Sequence, residues 1–155
     1  MKTCFFIGHM DAPSIVFSRL EESVVRHIKD YDVKIFVVGR YGSFDHMAMC
    51  AVSKAKRDCP EVQLLALIPY YRPFKNLNLP EGFDGSLYPE GMEKVPKYAA
   101  IVRANQYMIK HSDYLIAFDC GHVGNTRSFM EYARKREAKG LLHIDNLAES
   151  RGQVP

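Results

Sequence analysis

Three short apolar stretches of this chain each run into a turn that contains glycine, and an amphipathic segment follows each turn. The stretches with their turns span residues 4–9, 35–45 and 114–126. In an open parallel sheet such turns gather along the carboxyl edge, where exposed N–H groups and helix N-termini favour anions. The sequence therefore predicts a parallel sheet with an anion site, and a nucleotide-like ligand is the natural candidate.

Apolar runs alternate with amphipathic stretches in the βαβα order that is typical of a parallel sheet with helices on both faces. Strands are predicted at residues 3–7, 33–38, 62–68, 113–118 and 141–144. Helices are predicted to begin within 11–14, 43–45, at 97 and at 126, and to end near 29, 58, 111 and 139. We expect a single three-layer α/β/α Rossmann-like domain over residues 1–155, with a mainly parallel sheet of about five strands.

Residues 69–96 interrupt this pattern because they are rich in proline, glycine and aromatic residues. We expect an irregular insertion, which would serve either as a lid or binding loop or as a structured element that packs on the core. Tyr70 and Tyr71 follow soon after the third predicted strand. Their rings could stack on a base or pack against the core.

Composition and charge narrow the functional classes. The net charge is +3, but lysine and arginine are scattered rather than clustered, which argues against a nucleic-acid partner. The four cysteines lie far apart and form no C-x-x-C pair, so we predict reduced thiols and no metal site. We also expect no bound cofactor. The first apolar run is too short for a membrane span or a signal peptide. We expect a cytoplasmic protein with no membrane partner.

Several motifs together resemble one known family. The turns at residues 8–9 and 38–45, the stretch 93–109, and the strand 112–118 leading to Gly124-Asn-Thr126 resemble the SLOG superfamily of Rossmann-like proteins over nearly the whole chain. The likeness is to small bacterial and phage proteins of the YpsA-like branch. The superfamily also includes the cytokinin-activating phosphoribohydrolases, often misnamed lysine decarboxylases, and nucleotide-sensing domains of bacterial defence systems. The resemblance implies binding of a nucleotide or nucleotide-derived molecule, and assembly as a homo-oligomer.

The catalytic motif of the phosphoribohydrolases is altered in this chain. Those enzymes carry Pro-Gly-Gly-x-Gly-Thr-x-x-Glu after the fourth strand and an Arg-Lys pair before it. Here Phe129 stands three residues after Thr126, and the nearest carboxylate is Glu131. Arg103 lies one residue from the expected basic position, which Ala104 occupies. The resemblance therefore implies less about chemistry than about binding.

The candidate binding residues lie at the glycine turns and at the helix starts. Their N–H, hydroxyl, imidazole or guanidinium groups suit a phosphate, although the same residues could simply make tight turns, caps or a solvated helix face. They are Gly8, His9, Gly39, Arg40, Gly42, Ser43, Arg103, Asn105, Gly124, Asn125 and Thr126.

Three classes of function fit these observations. The first is a sensor or binding module that needs no catalytic residue. The second is an enzyme that cleaves or transfers the N-glycosidic bond of a nucleotide or nucleoside, with Glu131 or Asp45 stabilising an oxocarbenium-like centre. Asp45 could instead bind a ribose hydroxyl or interact favourably with the helix dipole. Asp119, His122 and Glu131 could form an acid/base set. The third is a non-catalytic oligomeric scaffold.

Overall fold

The carboxyl ends of six parallel strands lie along one edge of a single sheet. The computed structural model describes residues 1–70, 79, 81–121 and 124–149. The strands are β1 (Lys2–Gly8), β2 (Val33–Val38), β3 (Gln63–Leu67), β4 (Gly85–Leu87), β5 (Tyr114–Phe118) and β6 (His143–Asn146). They lie in the order β4-β3-β2-β1-β5-β6, and every neighbouring pair is parallel. The expected Rossmann-like α/β architecture is confirmed.

In the part of the chain that the structure describes, the sheet has six strands, whereas the sequence predicts about five. The additional strand, β4, lies inside the segment that we expected to be irregular, and it pairs with β3 to form one edge of the sheet. Its three residues, Gly-Ser-Leu, show no apolar alternation, so its strand conformation depends on this pairing. Two short 3-10 turns follow, at Met92–Lys94 and Lys97–Ala99. Residues 71–78 and 80, Tyr71 among them, lie outside the described residues.

Within the described residues, four α-helices cover the two faces of the sheet. They are α1 (Val16–Lys29), α2 (Ser43–Lys56), α3 (Ala100–His111) and α4 (Asn125–Ala138). Side chains alternate along β1: Cys4 and Phe6 pack with α1 and α2, whereas Phe5 and Ile7 pack with α3 and α4. This burial on both faces explains the continuous apolar runs, since neither face of a central parallel strand meets water.

Element boundaries differ from the predicted ones by a few residues. The helix α1 begins at Val16, after a turn in which the Val16 N–H donates to the Pro13 carbonyl, rather than within residues 11–14. The last strand is displaced toward the C-terminus by two residues at each end. These shifts leave the order of the elements unchanged.

The strand order reverses at β1, and this reversal positions the site. From β1 the chain builds outward through β2, β3 and β4, and it then returns to add β5 and β6 on the other side. The helix after β1 covers one face and the helix after β5 covers the other. Ligands of open α/β sheets bind outside the carboxyl ends of the strands at such a switch point.

The end of β1 is tightly packed, which yields a prediction for Gly8→Ala. A Cβ on Gly8 would lie 2.3 Å from the ring of Phe44, a buried residue of α2. We expect this substitution to lower the free energy of unfolding by about 1–3 kcal/mol, because an aromatic ring in a packed core must move. Urea denaturation measures the change.

Gly85→Ala is the matched control, since a Cβ there would lie 3.6 Å from Leu65, an ordinary contact. We expect it to change the stability by less than about 1 kcal/mol. Equal destabilisation by the two substitutions would contradict the packing account.

Candidate ligand site at the carboxyl edge of the sheet

A cavity of about 110 Å³, here called the central cavity, opens where β1, β2 and β3 end and where α3 and α4 begin. Its apolar walls come from Phe6, Ile7, Leu67 and Phe129 among others. The lining also includes residues that the sequence singles out. These are Gly8, Gly39, Asp45, Asn105, Asn125 and Thr126. The fold thus brings residues from distant parts of the chain to one cavity.

The N-terminus of α4 forms one wall of this cavity. Gly124 precedes the helix with a φ of +107°, and Asn125 and Thr126 form its first turn. Within the described part of the chain no side chain caps this helix, and its first turn contains no acidic residue. The first N–H groups of a helix have no intrahelical acceptor. They and the helix dipole therefore favour an anion at this wall.

The carboxyl group of Asp45 has an unusual environment. Its Oδ2 accepts the N–H of Tyr41 at 2.9 Å, and a Cβ on Gly39 would lie 2.9 Å from the same oxygen. Burial raises the pKa of Asp45 to about 6, although the hydrogen bond from Tyr41 acts in the opposite direction. A carboxyl group with a raised pKa that lines a cavity is typical of functional sites.

A second cavity, the flanking cavity, lies on the other side of Asp45 and has a volume of about 200 Å³. Gly39 and Asp45 line both cavities, and Arg40 and His46 add exposed basic groups to the flanking one. Arg40 therefore lies at the same edge of the sheet as the central cavity, on the side of α2.

Gly42 and Ser43 attach the start of α2 to the loop after β1. Gly42 has a φ of +116°, and a Cβ there would lie 2.6 Å from the Cα of Met10. The Ser43 N–H donates to the Met10 carbonyl and the Ser43 hydroxyl donates to the Ala12 carbonyl, each at 2.8 Å. The N–H and the hydroxyl of Ser43 are thus engaged within the chain. Gly42 and Ser43 therefore position the start of α2 against the loop after β1.

His9 joins the ends of β1 and β5. Its ring is buried, and its Nε2 accepts the N–H of Cys120 at 3.0 Å. Asp119 is buried beside it and accepts hydrogen bonds from the Gly121 N–H and the Arg134 guanidinium. His9 and Asp119 therefore hold two strand ends together. The sequence also suggests an acid/base set of Asp119, His122 and Glu131. Of these, His122 lies outside the described residues.

Two other predicted residues lie on helix faces that turn away from the central cavity. Arg103 is exposed, and it lies about 200° around α3 from Ile101, which lines the cavity. Glu131 is likewise two residues from Phe129 on α4, and its Oε1 lies 3.4 Å from Nε of Arg127 at the surface. Arg103, predicted to bind phosphate, and Glu131, predicted to act in catalysis, are therefore not brought to Asp45.

The sequence reasoning missed Tyr41 and Phe129 as wall residues of the central cavity. A signal existed for both. Tyr41 stands between the two glycines of the second turn, and Phe129 is one helical turn after Asn125, which is a predicted binding residue.

No group of three or more His, Cys, Asp or Glu among the described residues could hold a metal ion. No helix in the described ranges is both long and apolar enough to cross a bilayer.

Comparison with known proteins supports the fold. No protein-family model matches the sequence, and no curated protein matches it. The structure is similar to that of the molybdenum cofactor carrier protein from Chlamydomonas reinhardtii, with a TM-score of 0.57. The match covers 96% of this chain and 92% of that chain at 15% sequence identity. At this identity the likeness shows a shared Rossmann-like α/β fold.

The raised pKa of Asp45 predicts a pH-dependent penalty on stability. Because the folded state holds the proton up to about pH 6 and an ordinary carboxyl group releases it near pH 3.8, stability is lost as the pH rises through this window. Asp45→Asn removes the titrating group. We expect the variant to gain about 1–3 kcal/mol relative to the parent protein between pH 4 and pH 7. Urea denaturation of both proteins at pH 4 and pH 7 tests this. A stability difference between variant and parent that is the same at the two pH values would contradict the prediction.

Proposed function

We propose that this protein binds a nucleotide or nucleotide-derived small molecule at the central cavity, as a sensor or binding module. One observation carries the proposal: the cavity combines the start of α4, which no described side chain caps, with glycine turns and apolar walls. This combination suits a ligand that has both a phosphate and an organic body.

Two likenesses point in the same direction. The structural neighbour is named as a carrier of the molybdenum cofactor, so a protein of this fold binds a small molecule. The motifs at residues 38–45 and 124–126 resemble the SLOG superfamily, which implies a nucleotide-derived ligand. We include membership of that superfamily, a cytoplasmic location and homo-oligomeric assembly in the proposal.

In the proposed complex the phosphate lies against the first turn of α4. The N–H groups of this turn and the Thr126 hydroxyl donate to its oxygens. The sugar hydroxyls lie beside Asp45, whose carboxylate accepts hydrogen bonds. Asn105 also lines the cavity, and its amide nitrogen donates to the Ile101 carbonyl at 2.7 Å, which leaves its amide oxygen as the group that can accept from a ligand.

The phosphate position is tested by Thr126→Asp. A carboxylate at the start of α4 interacts favourably with the helix dipole, so we expect no loss of stability. The same carboxylate repels a phosphate, so we expect affinity for nucleoside 5′-monophosphates and ribose 5-phosphate to fall at least about 10-fold. Isothermal titration calorimetry measures the affinity.

Ser128→Asp is the control variant. It adds the same charge to the start of the same helix, but Ser128 is exposed and lies about 200° around the helix from Thr126. We expect it to retain most of the affinity. Equal losses in the two variants, or no binding by the parent protein, would count against the proposed site.

A second candidate function is cleavage or transfer of the N-glycosidic bond of the bound nucleotide. The specific observation in its favour is the Asp45 carboxyl group, whose pKa of about 6 lies near neutrality. A carboxylate beside the anomeric carbon stabilises an oxocarbenium-like centre, and a carboxyl group with a raised pKa can also move a proton. Asp45 takes this role in the proposal because Glu131 pairs with Arg127 at the surface.

The enzyme candidate predicts that the parent protein releases free base from a nucleoside 5′-monophosphate, as followed by chromatography. Asp45→Asn should reduce this release by at least about 100-fold while nucleotide affinity changes much less, because the lost group acts in the transition state. Glu131→Gln is the control and should leave the rate unchanged. Binding without base release would leave the sensor as the function.

A further inference from the structure

A larger cavity of about 450 Å³ lies beyond the end of β3, next to the central cavity. We call it the aromatic cavity. Its lining residues are Pro69, Tyr70, Tyr88, Met92, Glu93, Val95, Lys97 and Ala100. Pro69 also lines the central cavity, and Ala100 is followed by Ile101, which lines the central cavity as well. The two cavities therefore share a wall at the carboxyl edge of the sheet.

Two tyrosine rings give the aromatic cavity a firm surface. Tyr70 follows β3 and Tyr88 follows β4, and both rings are partly buried against the core cluster beneath α3 and α4. Val95 packs on the same cluster. The core already restricts these side chains. Stacking of a planar ligand on them therefore costs the protein little further side-chain entropy.

Two charged groups stand at the same cavity. Nζ of Lys97 lies 5.6 Å from the centroid of the Tyr70 ring, and Glu93 is exposed on the neighbouring turn. An exposed ammonium gains less from an aromatic face than a stacked base does, so a base can displace Lys97 from Tyr70. The displaced ammonium can then donate to an acceptor on the edge of the base, either a ring nitrogen or a carbonyl, and the Glu93 carboxylate can accept from an exocyclic amino group.

We propose that the aromatic cavity is the base subsite of the nucleotide site and that it takes the ring of a purine. The purine stacks on Tyr70, with Lys97 and Glu93 at its polar edge. The sugar and phosphate extend past Pro69 into the central cavity and reach the start of α4. This inference rests on the proposed function, because it assigns the base of the same ligand whose phosphate lies at α4.

A tryptophan placed at the subsite tests the inference directly. The chain contains no tryptophan, so Tyr70→Trp introduces a single fluorescent indole at the aromatic cavity. We expect guanosine and adenosine 5′-monophosphates to quench this fluorescence on binding, and ribose 5-phosphate to bind without quenching it. Tyr98→Trp is the control, because Tyr98 is 91% exposed on the neighbouring turn and absent from the cavity lining. Its fluorescence should not respond to either nucleotide.

Calorimetry supplies the second measurement. Tyr70→Ala should weaken purine nucleotide binding by about 5- to 100-fold and leave ribose 5-phosphate binding unchanged, since only the base loses its stacking partner. Tyr70→Phe should retain the affinity because it keeps the ring. Circular dichroism confirms that each variant is folded.

The outcomes separate this inference from the proposed function. If nucleotides and ribose 5-phosphate bind equally tightly, or if Tyr70→Ala weakens both alike, the base subsite is wrong and the phosphate site stands. If neither ligand binds the parent protein, both proposals are wrong.

Discussion

The central position of β1 between β2 and β5 is the constraint on which the rest of the structure depends. Both pairings are parallel, so the ends of all three strands lie on one edge. Because both faces of β1 are buried, the helices must divide between the two faces. The connections on either side of β1 then diverge, and the space between them becomes a crevice at the carboxyl edge. The central cavity follows from this topology before any particular side chain is considered.

The polar groups at this edge separate into those that hold the fold and those that face the crevice. His9, Asp119 and Ser43 form hydrogen bonds with neighbouring loops, and these bonds fix the strand ends and the start of α2. Asp45 and the first turn of α4 are different. The Asp45 carboxyl group loses hydration that the Tyr41 N–H only partly replaces, and the α4 N-terminus carries no cap among the described residues. A bound ligand with a phosphate would satisfy the second of these groups directly.

Local patterns predict most of the fold, because a strand buried on both faces reads as an apolar run and a covering helix shows a 3.6-residue period. Strand β4 escaped prediction since its three residues depend on the edge of β3. At the site, the glycine turns predict where Gly39, Asn125 and Thr126 meet, as the ends of parallel strands share one edge. The same helical period could have placed Glu131 opposite Phe129. The pKa of Asp45 could not be predicted, because it arises from burial of the carboxyl group in the folded chain.

The most direct test of the central claim is a titration of ¹⁵N-labelled protein with purine nucleoside 5′-monophosphates, followed through the backbone amide resonances. The account predicts that the largest chemical-shift changes occur at the amides of Gly8, Gly39, Asn125 and Thr126, which line the central cavity. The N–H groups at the start of α4 should respond most strongly, because they donate to the phosphate. Shifts confined to the amino edge of the sheet, or none at millimolar nucleotide, would contradict it.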